Sequence, residues 1–158
     1  MARTFAGAFR PMHSTTPRRS CTGGGACAAA SEANRIRQLQ IAESARAANY
    51  LMEAKGYSRA GGDRYQQATV TVSLDCFPAP SVLKIDVETA EVNVLRGASR
   101  LLRTVPPLIW CEVASYNSET VSELPHQGAY ELSSAAVEPA KRTPLTRAPW
   151  DTLAVPKA

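Results

Sequence analysis

Asp86, Glu88 and Glu112 are the side chains whose type and spacing could do chemistry in this 158-residue chain. A carboxylate can take the proton of a reacting hydroxyl when its surroundings hold it in place and tune its pKa. Asp86 and Glu88 follow the apolar positions Val82, Leu83 and Ile85, with Val87 between them, and Glu112 stands near the end of a second apolar run that opens at Pro106. Ligands of open α/β sheets bind outside the carboxyl ends of the strands, which is where these acids are expected. Asp86 is the first choice for an active-site carboxylate, with Glu88 and Glu112 secondary. The plainer use of Asp86, Glu88 and the nearby Glu91 is at a helix start, where carboxylates meet unpaired amides and the positive dipole end. Lys84 either balances an acid or points to solvent, and Asp75 either rims the site or caps a turn.

The elements that must position these acids follow from hydrophobic period. Residues 82–87 read as a strand ending in an acidic tip. The period then changes: Val94, Leu95, Ala98, Leu101 and Leu102 fall along one face of a helix, predicted over 90–103. Residues 106–113 form a second strand, 118–124 a second helix, and 129–133 and 151–155 two closing strands, expected to pair antiparallel at one edge. Upstream, Ser31 as a cap and the loose stripe Ile36, Leu39, Ile41, Ala45, Ala48, Leu51 and Met52 predict a helix over 31–54, ended by Gly56. Gly61, Gly62 and Asp63 form a turn. Residues 68–74, alternating Val70, Val72 and Leu74 with Thr69, Thr71 and Ser73, read as a half-exposed strand. Together these are an α/β layered domain.

The wording of these segments resembles the FkbM family of S-adenosylmethionine-dependent methyltransferases. The residues that carry the resemblance are Leu74-Asp75, the run 83–91 (LKIDVETAE), 95–98 (LRGA), 107–113 (PLIWCEV), 128–132 (GAYEL) and 152–156 (TLAVP). It covers about the last ninety residues, giving three parts: a basic leader over 1–31, a helix and linker over 32–67, and the carboxyl half of an FkbM-like domain over 68–158. The resemblance implies a partial Rossmann-like methyltransferase sheet with flanking helices. It also implies methyl transfer from S-adenosylmethionine to an oxygen of a small-molecule or glycan hydroxyl acceptor, with Asp86, Glu88 and Glu112 as the catalytic candidates. Thr89 stands where the family usually has Gly, and a β-branched residue tolerates positive φ poorly.

The first strand and glycine-rich cofactor loop of such a sheet are not legible. Residues 22–27 are glycine-rich but follow Arg18, Arg19 and Ser20 rather than an apolar strand, and read as a flexible loop. Without those N-terminal strands, 82–87 becomes an exposed apolar edge, which invites a partner, self-association, or the upstream helix folded over it. The alternative function is therefore a non-catalytic, methyltransferase-like remnant that binds protein or has no activity.

Composition removes other classes. The net charge of +4 comes from Arg3, Arg10, Arg18 and Arg19, because the rest of the chain balances. A leader rich in Arg, Ser, Thr and Ala and free of acids resembles an organellar transit peptide, against a disordered tail or a mistaken gene start. Nucleic-acid binding needs basic residues interleaved with aromatics on a folded face, and aromatics are 6% of the chain. Arg96, Arg100 and Arg103 read as a solvated helix face. No apolar stretch is long enough to span a bilayer, so the chain reads as soluble. Cys21, Cys27, Cys76 and Cys111 form no CxxC pair and have no His at zinc-ligand spacing, so no metal is expected and a reduced, intracellular compartment fits. His13 and His126 read as surface histidines.

Overall fold

The structure, a computed structural model, describes residues 28–42, 49–52, 63–124 and 129–157. It is an α/β fold with two four-stranded sheets and flanking helices. The leader to residue 27, the glycine-rich residues 22–27, Cys21, Cys27, His13, Gly56, Gly61, Gly62, His126 and Gly128 lie outside the described residues. Among the described residues, no helix is long and apolar enough to cross a membrane.

The first sheet, in the order β1-β4-β2-β3, is built on a long antiparallel ribbon of β2 (Arg35–Ala42) and β4 (Arg64–Val72). Two-residue strands flank it: β1 (Ala29–Ala30) runs parallel to β4, and β3 (Tyr50–Leu51) antiparallel to β2. Over the described residues 31–42 and 49–52 this overturns the helix expected over 31–54; Ala45 and Ala48 of its stripe lie outside the described residues. The helical stripe rested on Ile36, yet Ile36 is 76% exposed, while Arg37 and Leu39, two apart, are buried. Pairing with β4 over eight positions imposes that two-residue period, and long-range pairing outweighs local helix propensity. Ser31 is no helix cap; it is fully buried, and its amide donates to the Val72 carbonyl.

The strand expected over 68–74 is the second half of β4, but the residue it buries completely is Thr71, while Val70 is half exposed. The Thr71 hydroxyl lies 2.8 Å from the Ala33 carbonyl and 3.2 Å from that of Arg35, so it is satisfied inside the fold.

The second sheet, in the order β5-β6-β8-β7, matches the expected strands. β5 (Val82–Ile85) pairs parallel with β6 (Leu108–Glu112); β8 (Asp151–Pro156) runs antiparallel to both β6 and the closing edge strand β7 (Tyr130–Ser134). β5 is thus the other edge of its sheet. One face, with Leu83, Ile85, Ile109, Cys111, Leu132 and Ala154, buries against the apolar sides of α1 (Glu91–Arg96), α2 (Ser99–Thr104) and Val121 of α3 (Ser118–Glu123).

The single helix expected over 90–103 is two helices broken at Gly97 and Ala98. The carbonyl of Gly97 leaves the helical ladder and accepts bonds from the Asp75 amide (2.9 Å) and the Ser73 hydroxyl (2.6 Å). Asp75 then supplies the new helix start: its two carboxylate oxygens accept the amides of Arg100 and Leu101, each at 2.9 Å. These amides have no intrahelical acceptor, and a carboxylate at this end also meets the helix dipole favourably. Asp75 is therefore a cap supplied from a distant segment. Asp75→Ala is expected to lower stability by about 1–2 kcal/mol, the size of a lost side-chain cap, measured by urea denaturation; an unchanged midpoint would contradict the assignment.

Candidate active site

β5 and β6 run parallel, so their carboxyl ends share one side of the sheet and bring the predicted acids together. Lys84 organises two of them, Asp86 and Glu112. Its Nζ lies 2.7 Å from Glu112 Oε1 and 4.0 Å from Asp86 Oδ2, and 4.5 Å from the centre of the Trp110 ring. Lys84 thus balances an acid, one of its two expected roles. Asp86 is the more open of the two acids beside Lys84, with its side chain 63% exposed, whereas that of Glu112 is 35% exposed. Glu88 has its pKa raised above the ordinary carboxylate range, first by desolvation and then by the charges of Asp86 and Glu112. Its conjugate base is stronger than that of an ordinary carboxylate for this reason.

The turn that carries Glu88 is strained. Thr89 has φ 67°, the only positive φ of a non-glycine residue among those described, and its hydroxyl oxygen is buried with no partner. A left-handed conformation costs a residue with a Cβ about 1–2 kcal/mol. Thr89→Gly is therefore expected to stabilise the fold by about 1 kcal/mol, less than the strain relieved because glycine also frees the unfolded chain. A rise in the thermal midpoint would be the sign; a fall would show that the threonine methyl group contributes more through packing than its backbone strain removes.

What holds the strained turn is a residue expected only as a helix-start acid. Glu91 is 3% exposed. Its Oε2 accepts from Asn117 Nδ2 at 2.6 Å. Asn117 donates in addition to the Thr89 carbonyl at 3.1 Å. Glu91 and Asn117 thus tie the turn after β5 to the segment after β6. Burial is the largest influence on Glu91 and raises its pKa, against the opposing effect of the Asn117 hydrogen bond. The Glu91 carboxylate was legible as part of the 83–91 run, but Asn117 carried no signal of its own, because the pairing spans 26 residues of sequence.

Among the described residues no group of His, Cys, Asp and Glu is arranged to hold a metal ion. Cys111 is buried within β6, where desolvation raises its thiol pKa, while Cys76 is exposed. An open depression elsewhere on the surface is bordered by Glu119, Ser122, Glu123, Thr146 and Arg147, none of which belongs to the strand-end group.

A nucleotide-bearing cofactor needs close backbone approach, usually over glycine. Gly97 is the one glycine among the described residues, and the space above it is filled: a Cβ there would meet the Ser31 carbonyl oxygen at 2.0 Å. The described residues therefore present no cradle fitted to S-adenosylmethionine. No curated protein and no solved structure matched the chain in comparison. The Methyltransferase FkbM domain matches residues 19–132, well over half of the chain, and on that match, together with its α/β architecture, the protein belongs to the FkbM methyltransferase family.

Proposed function

We propose that this chain serves S-adenosylmethionine-dependent methyl transfer of the FkbM type, with a hydroxyl oxygen of a small molecule or glycan as acceptor. The observation that carries the reading is the meeting of Asp86 and Glu112 with Lys84 at the carboxyl ends of two parallel strands, near enough to Glu88 for both acids to raise its pKa. S-adenosylmethionine would supply the methyl group. The chain's own residues act on the acceptor. Glu88, the carboxylate whose pKa burial and neighbouring charges raise, takes the hydroxyl proton as oxygen becomes a nucleophile. Asp86, open to solvent, accepts a hydrogen bond from the acceptor, and the Lys84–Glu112 pair fixes the floor beneath it. In this reading the second sheet is the carboxyl half of a Rossmann-like sheet, with β5 at its edge.

A second reading, a non-catalytic methyltransferase-like module that binds protein, is favoured by a specific observation: the described residues offer the cofactor no glycine-lined approach, and Thr89 holds the turn beside the acids in a strained conformation. Isothermal titration of the folded full chain with S-adenosylmethionine separates the two. Saturable binding that persists in Glu88→Gln, with methyl transfer to a hydroxyl acceptor lost in that variant, supports the catalytic reading. A chain that folds by circular dichroism and binds no S-adenosylmethionine sinks it and leaves the binding module.

A further inference from the structure

Glu88 rides on a four-residue turn that closes just after β5. The Ala90 amide donates to the Val87 carbonyl at 3.3 Å, so Glu88 and Thr89 are the two central residues. Thr89, the second of them, has φ 67°, the positive value that a type II turn demands and that glycine usually supplies. The same four residues can close as a type I turn, with a negative φ at that position, once the peptide joining Glu88 to Thr89 turns over. A residue with a Cβ prefers that form. The local sequence therefore favours one turn and the fold imposes the other. Glu88 stands on the peptide that differs between them, so its aim is set by whatever holds the turn.

The restraint is Asn117, the last residue of the short 3-10 turn Ser115–Asn117 that follows β6. Its Nδ2 donates to the Thr89 carbonyl at 3.1 Å and to Glu91 Oε2 at 2.6 Å, one hydrogen for each. Its own backbone amide donates to the Ala114 carbonyl at 2.8 Å, which anchors it near the end of β6. We propose that Asn117 is a positioning residue, acting through Thr89 and Glu91 to hold Glu88 beside the ends of β5 and β6. The inference rests on the reading of Glu88 as the base for methyl transfer. The charges that act on Glu88 are those of Asp86 and Glu112, the second paired with Lys84 at 2.7 Å. Asn117 carries no charge, so it influences Glu88 only by placing it.

A carbon-13 NMR titration of the Glu88 side-chain carboxyl in the full chain tests this without an acceptor. In the parent the group titrates above the 4.5 of an ordinary glutamate. In Asn117→Ala, and in the milder Asn117→Ser, whose single hydroxyl hydrogen serves only one of the two oxygens, the Glu88 pKa is expected to fall toward 4.5, with the far-ultraviolet circular dichroism unchanged. In Glu91→Gln, which keeps an acceptor for Asn117, it is expected to stay at the parent value. A Glu88 titration unmoved in the folded Asn117 variants overturns the proposal, since a residue that only stabilises the fold would lower the thermal midpoint and leave Glu88 as it was. Titrating the parent with S-adenosylmethionine tells the two failures apart: a Glu88 shift in the Asn117 variants of a chain that binds no S-adenosylmethionine keeps the positioning role and sinks the methyl-transfer reading.

Discussion

Gly97→Ala is expected to destabilise the protein by about 3 kcal/mol or more, a large effect for one methyl group. The added Cβ would lie 2.0 Å from the backbone oxygen of Ser31 and 2.9 Å from its carbonyl carbon, far inside contact distance. Neither side can yield easily. Gly97 is held by three bonds through its amide and carbonyl, and Ser31 is fully buried with its amide bonded to Val72. The φ of Gly97 is −70°, so the demand for glycine here is close approach between backbones rather than conformational freedom. Relief requires β1 to move off the α1–α2 corner, which would also loosen the β1–β4 pairing. In a thermal melt this loss lowers the midpoint by roughly 10 °C. Gly97→Ala with a midpoint near that of the parent would mean that the two segments do not pack together in solution.

Glu91→Ala is expected to lower stability at neutral pH by about 2 kcal/mol, because it takes the acceptor from the Asn117 side-chain amide, and an unsatisfied donor costs about 1–3 kcal/mol. The burial cost of the carboxylate charge is recovered in the variant, which keeps the net figure below the upper end of that range. The pH dependence carries a separate signature. Folding raises the Glu91 pKa, so between the unfolded value of 4.5 and the higher folded value the native state binds more protons than the unfolded one. Stability from this group therefore falls as pH rises through that window and is greatest below it. Glu88 has the same sign. Denaturation midpoints of parent and Glu91→Ala, compared from pH 4 to 7, should converge as the pH rises, the parent losing the larger share. Parallel curves would show that Glu91 is not desolvated in the folded state.

These two residues bracket what was readable in advance. The acids at the ends of β5 and β6, the amphipathic stretch between them and the two closing strands were legible because each depends on a local period or on neighbours within a few residues. The same local signals misread 31–54. There the apolar residues admit a helical stripe, and what selects a strand is β4, some thirty residues downstream, whose ladder dictates which side chains turn inward. The break at Gly97 had the same origin. Continuous apolar spacing through Val94, Leu95, Ala98 and Leu101 says helix, but Asp75 and Ser73 draw the Gly97 carbonyl out of the ladder and restart it.

The residues alone determined the family, the alternation of strand and helix after residue 80, and the gathering of carboxylates where parallel strands end, since strand-end chemistry follows directly from strand polarity. Only the tertiary structure decided that Asp75 is a cap, that Glu91 and Asn117 clasp the turn at Thr89, and that Gly97 is required by the approach of Ser31. Each of these is a contact between segments 26 or more residues apart or, for Asp75, 25. A local pattern reports which face of an element is apolar; it does not report which distant amide, carbonyl or carboxylate will be brought against it, because that is set by how the elements pack.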